Sequence, residues 1–238
     1  MPTDFGDNSG FGRLYIVGTP IGNLEDLTIR ALKVLNDVHA IACEDTRHTR
    51  KLLAKYDIKK KLISYFHPRE TQKTPQILGL LKEGNDVALV SDAGTPGISD
   101  PGFPLIREAI KSGIGIHVIP GVSALTAALS GAGLPTHRFL FVGFAPPKAV
   151  ATQKLLASLK EETATIVFFL PPRRLQAFLE EIQETMGARQ VVIAREMTKI
   201  YEEFLRGTPD ELKSQIEGKT LKGEATILIQ GYNKKNRN

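Results

Sequence analysis

The residues of this chain best suited to chemistry sit in short, polar, turn-rich stretches. Residues 18–23 read Gly-Thr-Pro-Ile-Gly-Asn, residues 91–102 read Ser-Asp-Ala-Gly-Thr-Pro-Gly-Ile-Ser-Asp-Pro-Gly, and residues 120–124 read Pro-Gly-Val-Ser-Ala. Glycine lets a backbone come close to a ligand and present its amides or carbonyls, and proline holds such a loop in one shape. The 91–102 stretch is longer than a strand-to-helix connection needs. The 18–23 stretch is not a dinucleotide fingerprint, because Gly-x-x-x-Gly with an internal proline cannot make the tight turn that sets a pyrophosphate on a helix end. It is not a P-loop either, since Gly-Lys-Ser/Thr is missing. A small ligand gripped by backbone groups suits these loops, and Pro20, Asp92, Ala93, Gly94, Thr95, Ile98, Ser99, Ser123 and Ala124 are expected to line its pocket. Two structural alternatives stay open: 91–102 as an Ω-type loop, and Ser123 as a helix cap.

A second set of residues is charged. Glu44 and Asp45 stand at the start of a helical pattern on which Arg47, Arg50, Lys51 and Lys55 share one stripe, with Leu52, Leu53 and Tyr56 opposite. Lys59, Lys60 and Lys61 extend it, so residues 47–61 hold seven Lys or Arg against the single acid Asp57. A helix face of one sign fits a row of phosphates, and it also fits a solvated surface. A carboxylate among phosphates is repelled unless it orients a cation or accepts a proton, which makes Glu44 and Asp45 candidate catalytic groups. Lys199 is a third candidate, and Glu196 beside it offers a salt bridge as the alternative. Lys148, Arg173 and Arg174 form a smaller basic set in the second half, where paired arginines at a strand end suit a phosphate or a solvated turn. His48 and His67 are candidate acid/base groups or plain surface histidines.

The elements that must position these groups follow from periodicity. Short β-rich runs at 14–17, 40–42, 62–64, 87–90 and 116–119 alternate with helical patterns at 26–38, 46–56, 72–82 and 103–112. Continuously apolar strands between helices predict an open, mostly parallel sheet covered on both faces. The three turn-rich loops then fall at carboxyl ends of strands, where open α/β sheets place ligands. Beyond residue 119, strands at 139–142, 166–169, 191–194, 203–206 and 225–230 lie among helices at 122–130, 149–159, 173–186 and 209–216. Two of those strands have no helix between them, which predicts a hairpin and a mixed sheet. The fold class is α/β, with two α/β domains at 13–119 and 120–231 and loose tails at 1–12 and 232–238.

The 238 residues can form one large domain or two of about 100–120 each. With 42% hydrophobic and 24% charged residues, the chain is neither disordered, collagenous nor coiled coil. Its apolar runs, such as 165–170, are far shorter than the roughly 18 residues of a membrane span. Asp4 and Asp7 interrupt an amino terminus without an apolar core, so no signal peptide is read there and a cytoplasmic location is expected. Cys43 alone cannot form an internal disulfide, and five scattered histidines offer no zinc spacing, so no metal is expected. A net charge of +5 is compatible with a polyanionic partner and is also common among enzymes.

Four ordered motifs carry a resemblance: Val17-Gly18-Thr19-Pro20-Ile21-Gly22-Asn23-Leu24, Cys43-Glu44-Asp45-Thr46-Arg47, Ser91-Asp92-Ala93-Gly94-Thr95-Pro96 and Lys222-Gly223-Glu224. Together they resemble the tetrapyrrole-methylase superfamily of S-adenosylmethionine enzymes, and within it the branch that 2′-O-methylates a cytidine ribose in 16S rRNA of the small ribosomal subunit. The likeness covers about residues 13–231 and implies two α/β domains, S-adenosylmethionine folded in a cleft between them, and a homodimer. It also implies Leu170, Met197, Ala225 and Thr226 as cofactor contacts from the second domain, and RNA as the partner of Arg47, Arg50, Lys51 and Lys55, with Lys148, Arg173 and Arg174 as the other basic surface. The cofactor carries no phosphate, which agrees with backbone-rich loops in place of a P-loop. The chain departs from the branch in two places. Pro172-Arg173-Arg174 stands where Pro-His-Arg is usual, and Ala145-Pro146-Pro147-Lys148 where Leu-Pro and several arginines are usual. Both departures fall in the half expected to meet substrate. Methylation of a small tetrapyrrole, or a non-catalytic role in rRNA binding or assembly, are the competing readings.

Overall fold

Strands buried on both faces need covers on both faces, and the order of connections decides where the covers go. The computed structural model describes residues 10–219 and 221–233. The expected tails fall largely outside them, at 1–9 and 234–238. The chain divides into two units, one ending at Ser123 and one starting at Ala124.

The first unit runs β1 (Leu14–Val17), α1 (Ile29–Asp37), β2 (Ala40–Cys43), α2 (Thr46–Lys55), β3 (Lys61–Ser64), α3 (Glu70–Lys82), β4 (Val87–Val90), α4 (Phe103–Lys111) and β5 (Ile116–Ile119). Its five strands are all parallel, in the order β3-β2-β4-β1-β5. From β1 the chain steps through β2 to β3 at one edge, then reverses through β4 to β5 at the other. Right-handed crossovers of opposite sense put their helices on opposite faces. Accordingly α1 and α2 pack Leu35, Leu52 and Leu53 on one face, while α3 and α4 pack Ile77, Leu81 and Leu105 on the other. Every residue of β2 and β4 is buried between them. Helix α1 starts later than its periodicity suggested, because Thr28 is extended and caps it by accepting from the Ala31 amide at 3.1 Å. The preceding residues Leu24–Asp26 form a separate 3₁₀ turn.

The second unit runs α5 (Ala124–Ala132), β6 (Phe139–Phe144), α6 (Ala149–Ser158), β7 (Thr165–Leu170), α7 (Leu175–Met186), β8 (Val191–Arg195), β9 (Glu203–Gly207), α8 (Pro209–Ile216) and β10 (Ala225–Ile229). The sheet order is β6-β7-β10-β8-β9, with β6 and β7 parallel and the other pairs antiparallel. The expected hairpin is β8–β9, and the sheet is mixed. Phe168, Phe178, Ile182, Ile193 and Ile227 build its core. Among the described residues no helix is long and apolar enough to cross a membrane.

Candidate functional site

In the first unit, β4 stands between strands whose outgoing connections run the opposite way, so the loops leaving it and its neighbours diverge to either side of the sheet. Such a switch point opens a crevice beyond the strand ends. The loop after β4 is 91–102, and it is flanked by 18–23 after β1 and by Glu44 and Asp45 after β2.

These loops are tied to one another. Thr19 and Gly94 form a two-way backbone bridge, with N···O distances of 2.8 and 3.0 Å, and the Thr19 hydroxyl donates to the Ser91 carbonyl at 3.1 Å. Gly18 lies so close to Gly121 that a Cβ there would meet the Gly121 nitrogen at 2.8 Å, which explains glycine at both positions. Gly94 and Gly97 take positive φ, and so does Ser99, a strained choice for a residue with a side chain. Of the expected pocket residues, Pro20 and Gly94 are buried, Asp92, Ala93, Thr95 and Ser123 half-buried, and Ile98 and Ser99 exposed; Ala124 already belongs to the second unit.

The two acids after β2 have different surroundings. Asp45 is the cap of α2: its carboxylate accepts from the Arg47 amide at 2.8 Å and pairs with the Arg47 guanidinium at 2.8 Å. Those bonds hold it down at a pKa of about 2. Glu44 is half-buried, and burial followed by the negative charge of Asp92 pushes its carboxyl above the usual range, against the hydrogen bond it accepts from the Asp92 backbone. The Asp92 carboxylate in turn accepts from the Asp45 amide at 3.0 Å, which clasps the β2 and β4 loops together. Arg47, Arg50, Lys51 and Lys55 are all exposed along α2, although Arg47 is shared with Asp45. Beside them a groove of about 710 Å³ is lined by Arg50, Lys59 and Lys60 over a floor that includes Leu53, Ile58 and Leu62.

Residues 13–213 match the family of Tetrapyrrole (Corrin/Porphyrin) Methylases. The ribosomal RNA small subunit methyltransferase I of Thermotoga maritima is 51% identical over 220 residues, covering 92% of this chain and 99% of that protein. The chain belongs to the tetrapyrrole methylases, in the rRNA small subunit methyltransferase I branch. A solved uroporphyrin-III-C-methyltransferase from Thermus thermophilus superposes with a TM-score of 0.65 at 25% identity, covering 92% of this chain and 94% of that one. Another structure of uroporphyrin-III C-methyl transferase from that organism, complexed with S-adenyl homocysteine, shares the fold at a TM-score of 0.62 and 20% identity, covering 91% of this chain and 97% of that one.

In this tetrapyrrole methylase the second unit gathers its own candidates at one end of its central strands. Ala225 pairs with both Leu170 and Arg195, which brings Leu170, Ala225 and Thr226 together, with Met197 just beyond β8. All four are buried. Lys199 is half-buried and ion-paired with Glu196 at 2.9 Å and Glu224 at 3.5 Å. Burial works against its charge, but those carboxylates outweigh it and raise its pKa, so Lys199 is a fixed cation. Glu196 takes a positive φ and also accepts from the Glu224 amide, packed where any side chain on Gly223 would collide with it.

The basic set of this unit separates. Lys148 and Arg173 are exposed. Arg174 is turned inward: its guanidinium donates to the Pro146 carbonyl, to Thr152 Oγ1 at 3.3 Å and to Glu181 at 3.4 Å. A phosphate would have to take it from those partners. In the first unit His67 lies 3.3 Å from the buried carboxylate of Glu70. Neither Glu70 nor the fully buried Tyr65 carried a sequence signal, since each stands alone in a stretch without motif or period; only their contacts mark them.

Proposed function

We propose that this protein transfers the methyl group of S-adenosylmethionine to the 2′-oxygen of a cytidine ribose in 16S rRNA of the small ribosomal subunit. The observation that carries this reading is the meeting, at one sheet edge, of a backbone-built cradle, a half-buried carboxylate and a helix face of positive charge, in a chain half identical to a protein named for small-subunit rRNA methylation. The cradle fits the cofactor's chemistry, because the Gly18–Gly121 approach and the Thr19–Gly94 bridge fix irregular backbone loops beyond the strand ends, and the 18–23 loop lacks the Gly-Lys-Ser/Thr of a P-loop. The residues that would contact it, on the loop reading and the family likeness, are Pro20, Asp92 to Thr95, Ile98, Ser99, Ser123, Ala124, Leu170, Met197, Ala225 and Thr226. The bound cofactor supplies an already activated methyl group.

What the chain's own residues do is position and move a proton. The exposed cations Arg50, Lys51 and Lys55, with Arg47, hold RNA phosphates without reading bases. Of the three candidate catalytic groups, Glu44 is the base, since it is half-buried beside Asp92 and that burial and charge raise its affinity for a proton. Asp45 is committed to the helix cap and to Arg47, and Lys199 supplies fixed positive charge. Orientation of reactants alone is worth up to about 7–11 kcal/mol, so a single weak base suffices for an in-line displacement at an activated methyl. The functional unit is a homodimer, as the family likeness implies, and it works in the cytoplasm.

Incubation with methyl-labelled cofactor and either small ribosomal subunits, their RNA, or a porphyrinoid tests the reading. Label is expected in the RNA. Label in the porphyrinoid alone would make the protein a tetrapyrrole methylase in substrate as well as fold, and tight RNA binding with label in neither would make it an assembly factor.

A further inference from the structure

Helix α4 follows the 91–102 loop directly, and its first turn has no cap of its own. Its N-cap is Gly102, which has no side chain, and Pro104 has no amide to donate. Two of the remaining amides are met from other elements: Gly102 N–H donates to Glu70 Oε1 at 2.8 Å, and Leu105 N–H donates to the Tyr65 hydroxyl at 3.2 Å. Glu70 opens α3, and Tyr65 lies just past β3. Both side chains are deeply buried. Thr74 completes the cluster. Its hydroxyl donates to the Glu70 carbonyl at 2.9 Å, which leaves its oxygen to accept from Tyr65 at 3.4 Å. A buried carboxylate is tolerated where a helix amino end faces it, and here Glu70, itself in the first turn of α3, meets the amino end of α4 with one oxygen and His67 with the other.

We propose that Glu70, backed by Tyr65, is a positioning residue that fixes the far end of the 91–102 loop and so holds the cofactor-binding backbone in its competent shape. The near end is held by Thr19 through Ser91 and Gly94. The far end is held by Glu70 at Gly102, and Gly102 packs against Gly97, close enough that a Cβ at Gly102 would lie 3.2 Å from the Gly97 nitrogen. Fixing Gly102 therefore restrains Gly97 and, next to it, Ile98 and Ser99, two expected cofactor contacts. Glu70 touches no reacting atom; it acts through the loop.

This inference rests on the reading of 91–102 as a cofactor loop, and the test separates the two. Glu70→Leu removes the acceptor, Glu70→Gln keeps an acceptor oxygen, and Tyr65→Phe removes only a hydroxyl. Two quantities are read on each folded variant: S-adenosylmethionine affinity by calorimetry, and amide hydrogen exchange across 91–105. Leaving a buried amide unpaired should weaken binding by about tenfold or more in Glu70→Leu, with the glutamine variant restoring most of it. Exchange should quicken in Glu70→Leu and at Leu105 in Tyr65→Phe. If Glu70→Leu binds as the parent does, or exchanges no faster across the loop, the positioning role is wrong. A parent that binds no cofactor, with exchange still quickened by Glu70→Leu, would leave the brace standing and overturn the cofactor reading instead.

Discussion

Gly18→Ala places one methyl group where the structure leaves no room for it. The new Cβ would lie 2.8 Å from the Gly121 nitrogen and 2.9 Å from its Cα, well inside the 3.4 Å at which ordinary contact begins. Both neighbours are backbone, and no rotamer relieves the clash. The loops after β1 and β5 must part, which strains the 3.0 Å hydrogen bond from Gly18 N–H to the Ile119 carbonyl. Overpacking of this kind costs about 1–3 kcal/mol. For a chain of this size each kcal/mol lowers Tm by roughly 2–4 °C. The same shift displaces Thr19 and Pro20, so affinity for S-adenosylmethionine falls with stability. Gly79→Ala is the matched control: nothing stands within 4 Å of its Cβ position on α3, so it should stabilise by roughly 0.8–1 kcal/mol through helix propensity. Thermal melts and calorimetry of the two variants give the answer. If Gly18→Ala melted with the parent and bound the cofactor equally well, the close approach of these loops would not be a constraint on the site.

Further outcomes follow from the same geometry. Glutamine at Arg47, Arg50, Lys51 and Lys55 together should weaken RNA binding and shrink the slope of log K against log salt by roughly one unit for each phosphate no longer neutralised, leaving cofactor affinity unchanged in calorimetry. Glu44→Gln keeps the acceptor for the Asp92 amide, so it should fold and bind both substrates while lowering kcat by about 10²–10⁴-fold in single-turnover assays. In the parent, the rate should decline with acid from a pH above the usual carboxylate range, since the Glu44 pKa is raised and its basic form is lost as pH falls through it. Arg174→Ala leaves Glu181, whose pKa is already raised by burial, without its cation, and should cost roughly 1–3 kcal/mol in chemical denaturation, whereas Arg173→Ala should leave stability unchanged. The Asp45 carboxyl is depressed to about 2 from 3.8, so the ion pair with Arg47 stabilises the parent fully above pH 3.8 and is lost as pH falls toward 2. The gap in Tm between the parent and Asp45→Asn, which retains a capping oxygen, should close across that window.

The first sheet was legible because its strands are continuous apolar runs between amphipathic helices, and β1, β4 and β5 begin and end where the pattern places them. The hairpin β8–β9 was legible for the opposite reason, two strands with no helical period between them. What periodicity could not give is side-chain direction. Arg173 and Arg174 are adjacent and chemically alike, yet one faces solvent and the other is drawn to Pro146, Thr152 and Glu181, partners 7 to 28 positions away in the chain. Glu44 and Asp45 look equivalent in sequence, and only the N-terminal geometry of α2 assigns Asp45 to the cap. Glu70 and Tyr65 were invisible because a buried polar group is defined by long-range contacts; the Gly102 amide is 32 positions from its acceptor.

The chemistry of the methylated product is the measurement that bears most directly on the proposed reaction. Small-subunit RNA treated with the protein and methyl-labelled S-adenosylmethionine would be hydrolysed with alkali, which cannot cleave beside a blocked 2′-oxygen, and the surviving dinucleotide identified by mass spectrometry. Methyl transfer to the ribose predicts label in an alkali-resistant dinucleotide that carries 2′-O-methylcytidine, accumulating about 10²–10⁴-fold more slowly with the Glu44→Gln variant. Label on a base, with the backbone fully cleaved, or equal label from the variant, would contradict it.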